Sequence, residues 1–197
     1  MGKNTYVAVG NADDISNVIT NISPKDTPFF SACGKTKATA TNHEWLEDQL
    51  RAAADNKKVE GFEYTVQDPV PRSRLGNYTQ IFSVGYWVTD TQEVVLKHGL
   101  TSEIAYQMRK AMKEIGLDVE RALITNATRA AGSASVARQF GGVPFWITTN
   151  AIASAAGAGL TEGLMNDALE ACWKAGGTPS KVYLSGDSKR AVSAWSG

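Results

Sequence analysis

The chain is poor in the residues that most chemistry needs. It has two cysteines, Cys33 and Cys172, far apart in sequence and in no redox or metal spacing. Reduced thiols of a cytoplasmic protein are the simplest reading of so few. It has two histidines, His43 and His98. His43-Glu44 has no second histidine at the zinc-protease spacing, and His98 sits beside Gly99 at a turn. A charge excess is also lacking. Twenty basic residues balance twenty acidic ones, so there is no basic footprint of a dedicated nucleic-acid binder. Near-neutrality also removes long-range self-repulsion, which makes dense packing of many copies cheap. No apolar run is long enough to span a bilayer, and the opening MGKNTYVAVG lacks the apolar core and cleavage site of a signal peptide. The composition, 43% hydrophobic over 197 residues, is that of a globular chain able to bury a core.

Motifs for turnover are missing as well. There is no Gly-x-Ser-x-Gly elbow. Gly157-Ala-Gly159 followed by Gly163 misses the dinucleotide spacing. Ser185-Gly-Asp-Ser-Lys189 has the wrong glycine-to-lysine spacing for a phosphate loop. Glu44 and Asp48 share one face of a strand, opposite Trp45 and Glu47, and solvated or salt-bridging carboxylates explain them better than a hydrolase pair. The five tryptophans are not interleaved with lysine and arginine as a base-stacking platform would require. We therefore nominate no catalytic, cofactor-binding or metal-binding residues.

What the chain does have is ordered along its length. Residues 1–42 read as an arm, with a short helix over 15–20 capped by Asp13 or Asp14. Asp26-Thr27-Pro28 reads as a turn, and Phe29-Phe30 as an apolar anchor, for its own core or for a neighbour. Residues 43–90 are rich in β-formers around Trp45, over 59–66 and over 78–88. They read as a long two- or three-stranded hairpin with polar tips. DPVPRSRLG at 68–76 carries two prolines and is excluded as a central strand. A lone hairpin is marginal in water, and its edges invite pairing with other chains.

Residues 102–126 carry the strongest helix signal, with Ile104, Met108, Ala111, Met112, Ile115, Val119, Ala122 and Leu123 at three- and four-residue steps. Thr101 or Ser102 caps a helix roughly 37 Å long. Its charges are polarised, with Arg109, Lys110 and Lys113 before Glu114, Asp118 and Glu120. Two readings stand: a solvated face, or blocks answering a neighbour's charges. Residues 143–149 read as an edge strand holding Pro144, and 151–159 as a flexible connector. Thr161 caps a second helix that Gly176-Gly177 ends. A short strand is expected over 181–185, then a third helix from Ser188 capped by Asp187.

The arm segment SPKDTPFFSACGKTKATATNHEWLEDQL, with VEGFEY at 59–64 and NYTQIFSVGYWVTDT at 77–91, resembles the major capsid proteins of tailed bacteriophages, the SU-ten-type family with the Hong-Kong-97-type fold. The resemblance implies an α+β chain with an N-terminal arm (1–42), an extended β-hairpin loop (43–90), a peripheral domain with a spine helix (91–150) and an axial domain begun at 151–197. The family's axial domain continues past this point, so the expectation is a truncated chain. The implied role is structural. Copies form hexamers and pentamers of an icosahedral head around double-stranded DNA, in the virion, after assembly in the host cytoplasm. Scaffold, portal and decoration proteins are implied partners, with no membrane and no cofactor. The working residues would be interfacial: Phe29, Phe30, Trp45, Arg72 and Arg74 at the hairpin tip, and Arg109, Lys110, Lys113, Glu114 and Asp118. Alternatives are an encapsulin-like shell around protein cargo, or a small α/β ligand-binding protein or enzyme built on residues 161–195.

Overall fold

A computed structural model describes residues 26–64, 66, 68–152 and 158–195. The helix expected over 15–20 lies outside the described residues, as does most of the 151–159 connector. The fold is mixed, with helices and one small antiparallel sheet. The described residues divide into two compact units. One joins the segment ending at Ser31 to Phe82–Arg121, and the other joins Ala32–Ile81 to the chain from Ala122 onward.

The first unit is organised by α3, Glu103–Thr125, whose first nineteen residues it contains. The bounds fall within one residue of those the periodicity predicts. Ser102 caps it, its Oγ accepting from Ala105 N at 3.1 Å. A second cap comes from farther back. Glu93 Oε2 accepts from Glu103 N at 2.8 Å and Ile104 N at 3.3 Å. Glu93 belongs to α2, Asp90–Val94, capped by Thr89 Oγ1 on Gln92 N. This helix follows the segment read as the hairpin and was not among the expected elements. Its signal is present in Thr89-Asp-Thr-Gln92, a capping-box pattern. The helix α1, Pro28–Ala32, replaces the expected turn. Pro28 needs no amide partner at a helix start, and Glu120 takes the next two amides, Phe29 N at 3.0 Å and Phe30 N at 2.6 Å.

The second unit holds the sheet. β1, Asn42–Glu47, pairs antiparallel with β2, Ser73–Tyr78, with Trp45 opposite Leu75 and Glu44 opposite Gly76. The Trp45 strand is where the sequence puts it. Its partner is not: β2 starts within the proline-bearing DPVPRSRLG, two residues after Pro71. In a two-stranded ribbon both strands are edges, so prolines beside one cost no ladder bond. The β-rich runs at 59–64 and 79–88 form no ladder, so the ribbon is short and carries a long loop over 48–72.

Three further expectations are corrected. Residues 143–149 are not a strand. α4, Val143–Trp146, places Pro144 in its first turn, where a fixed φ fits. Residues 181–185 are not assigned to a strand. The last helix, α6, Gly186–Ser193, is capped by Ser185, not Asp187, with Ser185 Oγ accepting from Ser188 N at 3.3 Å. The glycine-serine motif at 185–189 is thus a helix start. By contrast α5, Glu162–Lys174, begins at Thr161 and ends at Gly176 as expected. Gly176 takes φ +84°, and Gly177 N returns to Cys172 O at 2.9 Å.

Candidate assembly surfaces

The ribbon is held at its base by polar and aromatic contacts. Asn77 Nδ2 donates to Gly141 O at 2.9 Å, and Gly141 N donates back to Asn77 Oδ1 at 2.8 Å. Trp146 Nε1 reaches the same carbonyl at 3.2 Å, and its ring lies 5.1 Å from that of Trp45. Arg129 donates to Gly76 O, and its guanidinium lies 5.8 Å from the Tyr78 ring and 5.3 Å from that of Phe145. Asn126, just past α3, donates to Phe140 O at 3.0 Å and accepts from Gly142 N at 2.9 Å through its carbonyl. Gly76, Gly141 and Gly142 are buried. At Gly142 there is no room for a side chain, since a Cβ would stand 2.5 Å from Leu123 O.

At the neck of the ribbon, Arg74 pairs with Glu44 and Arg72 with Asp48, the latter at 3.2 Å. The hydrogen bond that Arg74 donates to Glu44, then the Glu44 charge, hold the Arg74 guanidinium's pKa above its ordinary value. Both pairs are exposed, so they set register more than they add stability. Beyond the neck, Leu50, Val59, Phe62, Tyr64, Val66 and Val70 are all exposed, Leu50 fully.

A second set of uncovered apolar side chains lies in the other unit. Trp87 is 88% exposed and Leu96 97%. Along α3, Ile104, Met108 and Met112 are exposed at four-residue spacing, which puts them on one face. Ala111 and Ala122 are the buried apolar residues among those described. Covering a side chain such as Tyr64 or Met112 is worth roughly 1.5–3 kcal/mol.

The ten nominated residues are scattered over these regions. Phe29 and Phe30 are half-buried and their amides sit on Glu120. Trp45 packs on Trp146. Arg72 and Arg74 are at the neck, not the tip, of the hairpin. On α3, Lys110 pairs with Glu114 at 3.6 Å, Arg109 Nε donates to Ala105 O at 3.2 Å, and Lys113 and Asp118 are exposed. The residues missed by sequence reasoning are Asn77, Glu93, Asn126 and Arg129, and Glu120 was read only as part of the acidic block of α3. Each acts on a backbone group distant in sequence, a relation no local pattern encodes.

The family described as SU10 major capsid protein matches the chain over residues 2–197. The chain belongs to the SU10 major capsid protein family. Among curated proteins it is similar to the major capsid protein of Escherichia phage Phieco32, with 32% identity over 126 residues, 64% of this chain and 36% of that protein. The match therefore spans about a third of the length of that relative. Membership makes the SU10-family chain a bacteriophage virion protein, and its mixed helix-plus-small-sheet structure is compatible with a phage capsid fold.

A groove of about 320 Å³ is lined by Leu160, Leu164, Met165, Ala168, Val182 and Leu184, without a nucleophile or base. Among the described residues no three His, Cys, Asp or Glu side chains gather as a metal site. No helix among them is long and apolar enough to cross a membrane.

Proposed function

We propose that copies of this chain assemble through the uncovered apolar surfaces into hexamers and pentamers of an icosahedral phage head that encloses double-stranded DNA. The subunit has the Hong-Kong-97-type plan: an arm (1–42), an extended loop (43–90), a peripheral domain built on α3 (91–150) and the start of an axial domain (151–197). The role is structural, with no turnover. Assembly takes place in the host cytoplasm, where scaffold, portal and decoration proteins are the further partners.

One observation carries this reading. The loop over 48–72 and the α3 stripe leave large apolar side chains in water, and family membership supplies the natural cover, more copies of the same chain. The exposed charges Arg109, Lys113 and Asp118 and the neck residues Arg72 and Arg74 line the margins of these surfaces and tune their register. Phe29, Phe30 and Trp45 position the arm and ribbon that reach the neighbour, and Lys110 with Glu114 completes the charged face of α3.

The test is electron microscopy of the expressed chain. Closed particles protecting nuclease-resistant DNA are expected, and protein cargo in place of DNA would indicate an encapsulin-like shell. The triple variant Tyr64→Ser, Val66→Ser, Val70→Ser should unfold at the same denaturant concentration yet form no particles. A chain that stays monomeric at high concentration would overturn the proposal.

A further inference from the structure

The chain has four methionines, and two of them, Met108 and Met112, stand on the uncovered stripe of α3. Met108 is 51% exposed and Met112 69%. Four residues apart on a helix, they share one face, which exposed Ile104 continues toward the helix start. Met165 differs. It is half-buried in α5 and lines the groove with Leu160, Leu164 and Val182. Met1 lies outside the described residues.

A thioether on a docking face brings a reactivity that leucine would not. Methionine is unbranched and polarizable, so it moulds to an irregular partner. Its sulfur also attacks peroxides. A sulfur lone pair forms an S–O bond as the O–O bond of hydrogen peroxide breaks, and the departing oxygen leaves as water once it has taken a proton. The sulfur is oxidised by two electrons and the peroxide is reduced. The sulfoxide that results is polar, and methionine sulfoxide reductases return it to the thioether. On the free subunit these two side chains are in water, so the sulfoxide keeps its hydration and the fold is undisturbed. Against an apolar neighbour it loses that water, and Ile104 in the same stripe offers no donor. Burying a polar group without a hydrogen bond is unfavourable, and a closed shell repeats the cost at every equivalent contact. Membership in a capsid-protein family makes a second copy of this chain the fitting cover for the stripe.

We infer, resting on the assembly reading above, that Met108 and Met112 are a reversible oxidation site that gates assembly. A hydroperoxide oxidises them in the free subunit, the sulfoxides block docking of the α3 stripe on a second copy, and reduction restores it. Oxidised subunits are thereby kept out of the shell, and docking shields the same sulfurs once the shell has formed.

The experiment uses the full chain with Cys33→Ser and Cys172→Ser, so that thiols do not consume the oxidant. The unassembled protein is treated with hydrogen peroxide, and half is then reduced with methionine sulfoxide reductases of both stereospecificities. Peptide mass spectrometry locates the added oxygen, and sedimentation with electron microscopy measures particles. Oxygen is expected at Met108 and Met112 ahead of Met165, with an unchanged denaturant midpoint, a particle yield lower by about tenfold or more, and recovery after reduction. In particles formed beforehand both residues should oxidise more slowly than in the free chain. Met108→Leu with Met112→Leu should assemble with or without peroxide. Oxidised parent that assembles like the untreated chain overturns the gate, as does a yield that reduction fails to restore, a midpoint that falls on oxidation, or equal oxidation in particles and free chain. A leucine variant that peroxide still blocks overturns it too. Should that variant fail to fold, reductase rescue and protection in particles decide, since neither needs it. An untreated parent that forms no particles overturns the assembly reading and the gate with it, an outcome distinct from inhibition by peroxide alone.

Discussion

Asn77 and Gly141 satisfy each other twice, side-chain amide to backbone carbonyl at 2.9 Å and backbone amide to side-chain carbonyl at 2.8 Å, across sixty-four residues. An asparagine side chain carries a donor and an acceptor in the spacing of a peptide group, so it can stand in for a strand. It ties β2 to the segment that leads into α4. Asn77→Ala strands the amide of the buried Gly141, whose carbonyl keeps Trp146 Nε1, and should lower unfolding free energy by about 2 kcal/mol in denaturant titration. Asn77→Asp keeps the acceptor for Gly141 N and should cost less.

Gly142 is fixed by crowding rather than by conformation. A Cβ there meets Leu123 O at 2.5 Å and Ala122 O at 2.8 Å, both backbone atoms of the last turns of α3. Gly142→Ala should therefore destabilise by about 1–3 kcal/mol, as overpacking does. Gly163→Ala, in open space within α5, should be neutral or stabilising by up to about 1 kcal/mol. Thermal unfolding of the two variants side by side decides the point.

Glu93 makes the start of α3 sensitive to acid. Its pKa is lowered, chiefly by the Ser102 hydroxyl and further by the amides of Glu103 and Ile104 and the charge of Lys97, with burial opposing. In acid the folded state then holds fewer protons at this group than the unfolded state, so stability rises with pH. The contribution is complete above the ordinary value of 4.5 and is lost as pH falls through the lowered one. Melting curves followed by circular dichroism between about pH 2 and pH 7 should show a shallower acid limb in Glu93→Gln than in the parent.

The rings of Trp45 and Trp146 meet at 5.1 Å, tilted by 45° to each other. Their coupling, measured with Trp45→Ala, Trp146→Ala and the double variant, should be about 0.5–1.5 kcal/mol. Additive effects would show that each ring packs independently of the other.

Much of the helical structure was legible because its causes are local. The three- and four-residue spacing from Ile104 to Leu123 gives α3 within a residue at each end, and Thr161 and Gly176 bracket α5. Even the missed α2 had a local signal in Thr89-Asp-Thr-Gln92. The family was legible too, from the arm and loop segments. Strands were not. Runs 59–64, 79–88 and 181–185 have β composition and yet form no ladder, because a strand exists only where a partner presents its edge. Ser73–Tyr78 became one despite nearby prolines because Asn42–Glu47 lay opposite.

The sequence alone thus determined the elements that close their own hydrogen bonds, and the lineage written in its segments. Only the tertiary structure decided which strand pairs, why Gly142 must be glycine, and that Glu93 and Glu120 hold helix starts 10 and 91 residues from themselves. Those choices depend on groups brought together by folding, and their sequence separation leaves no periodic trace.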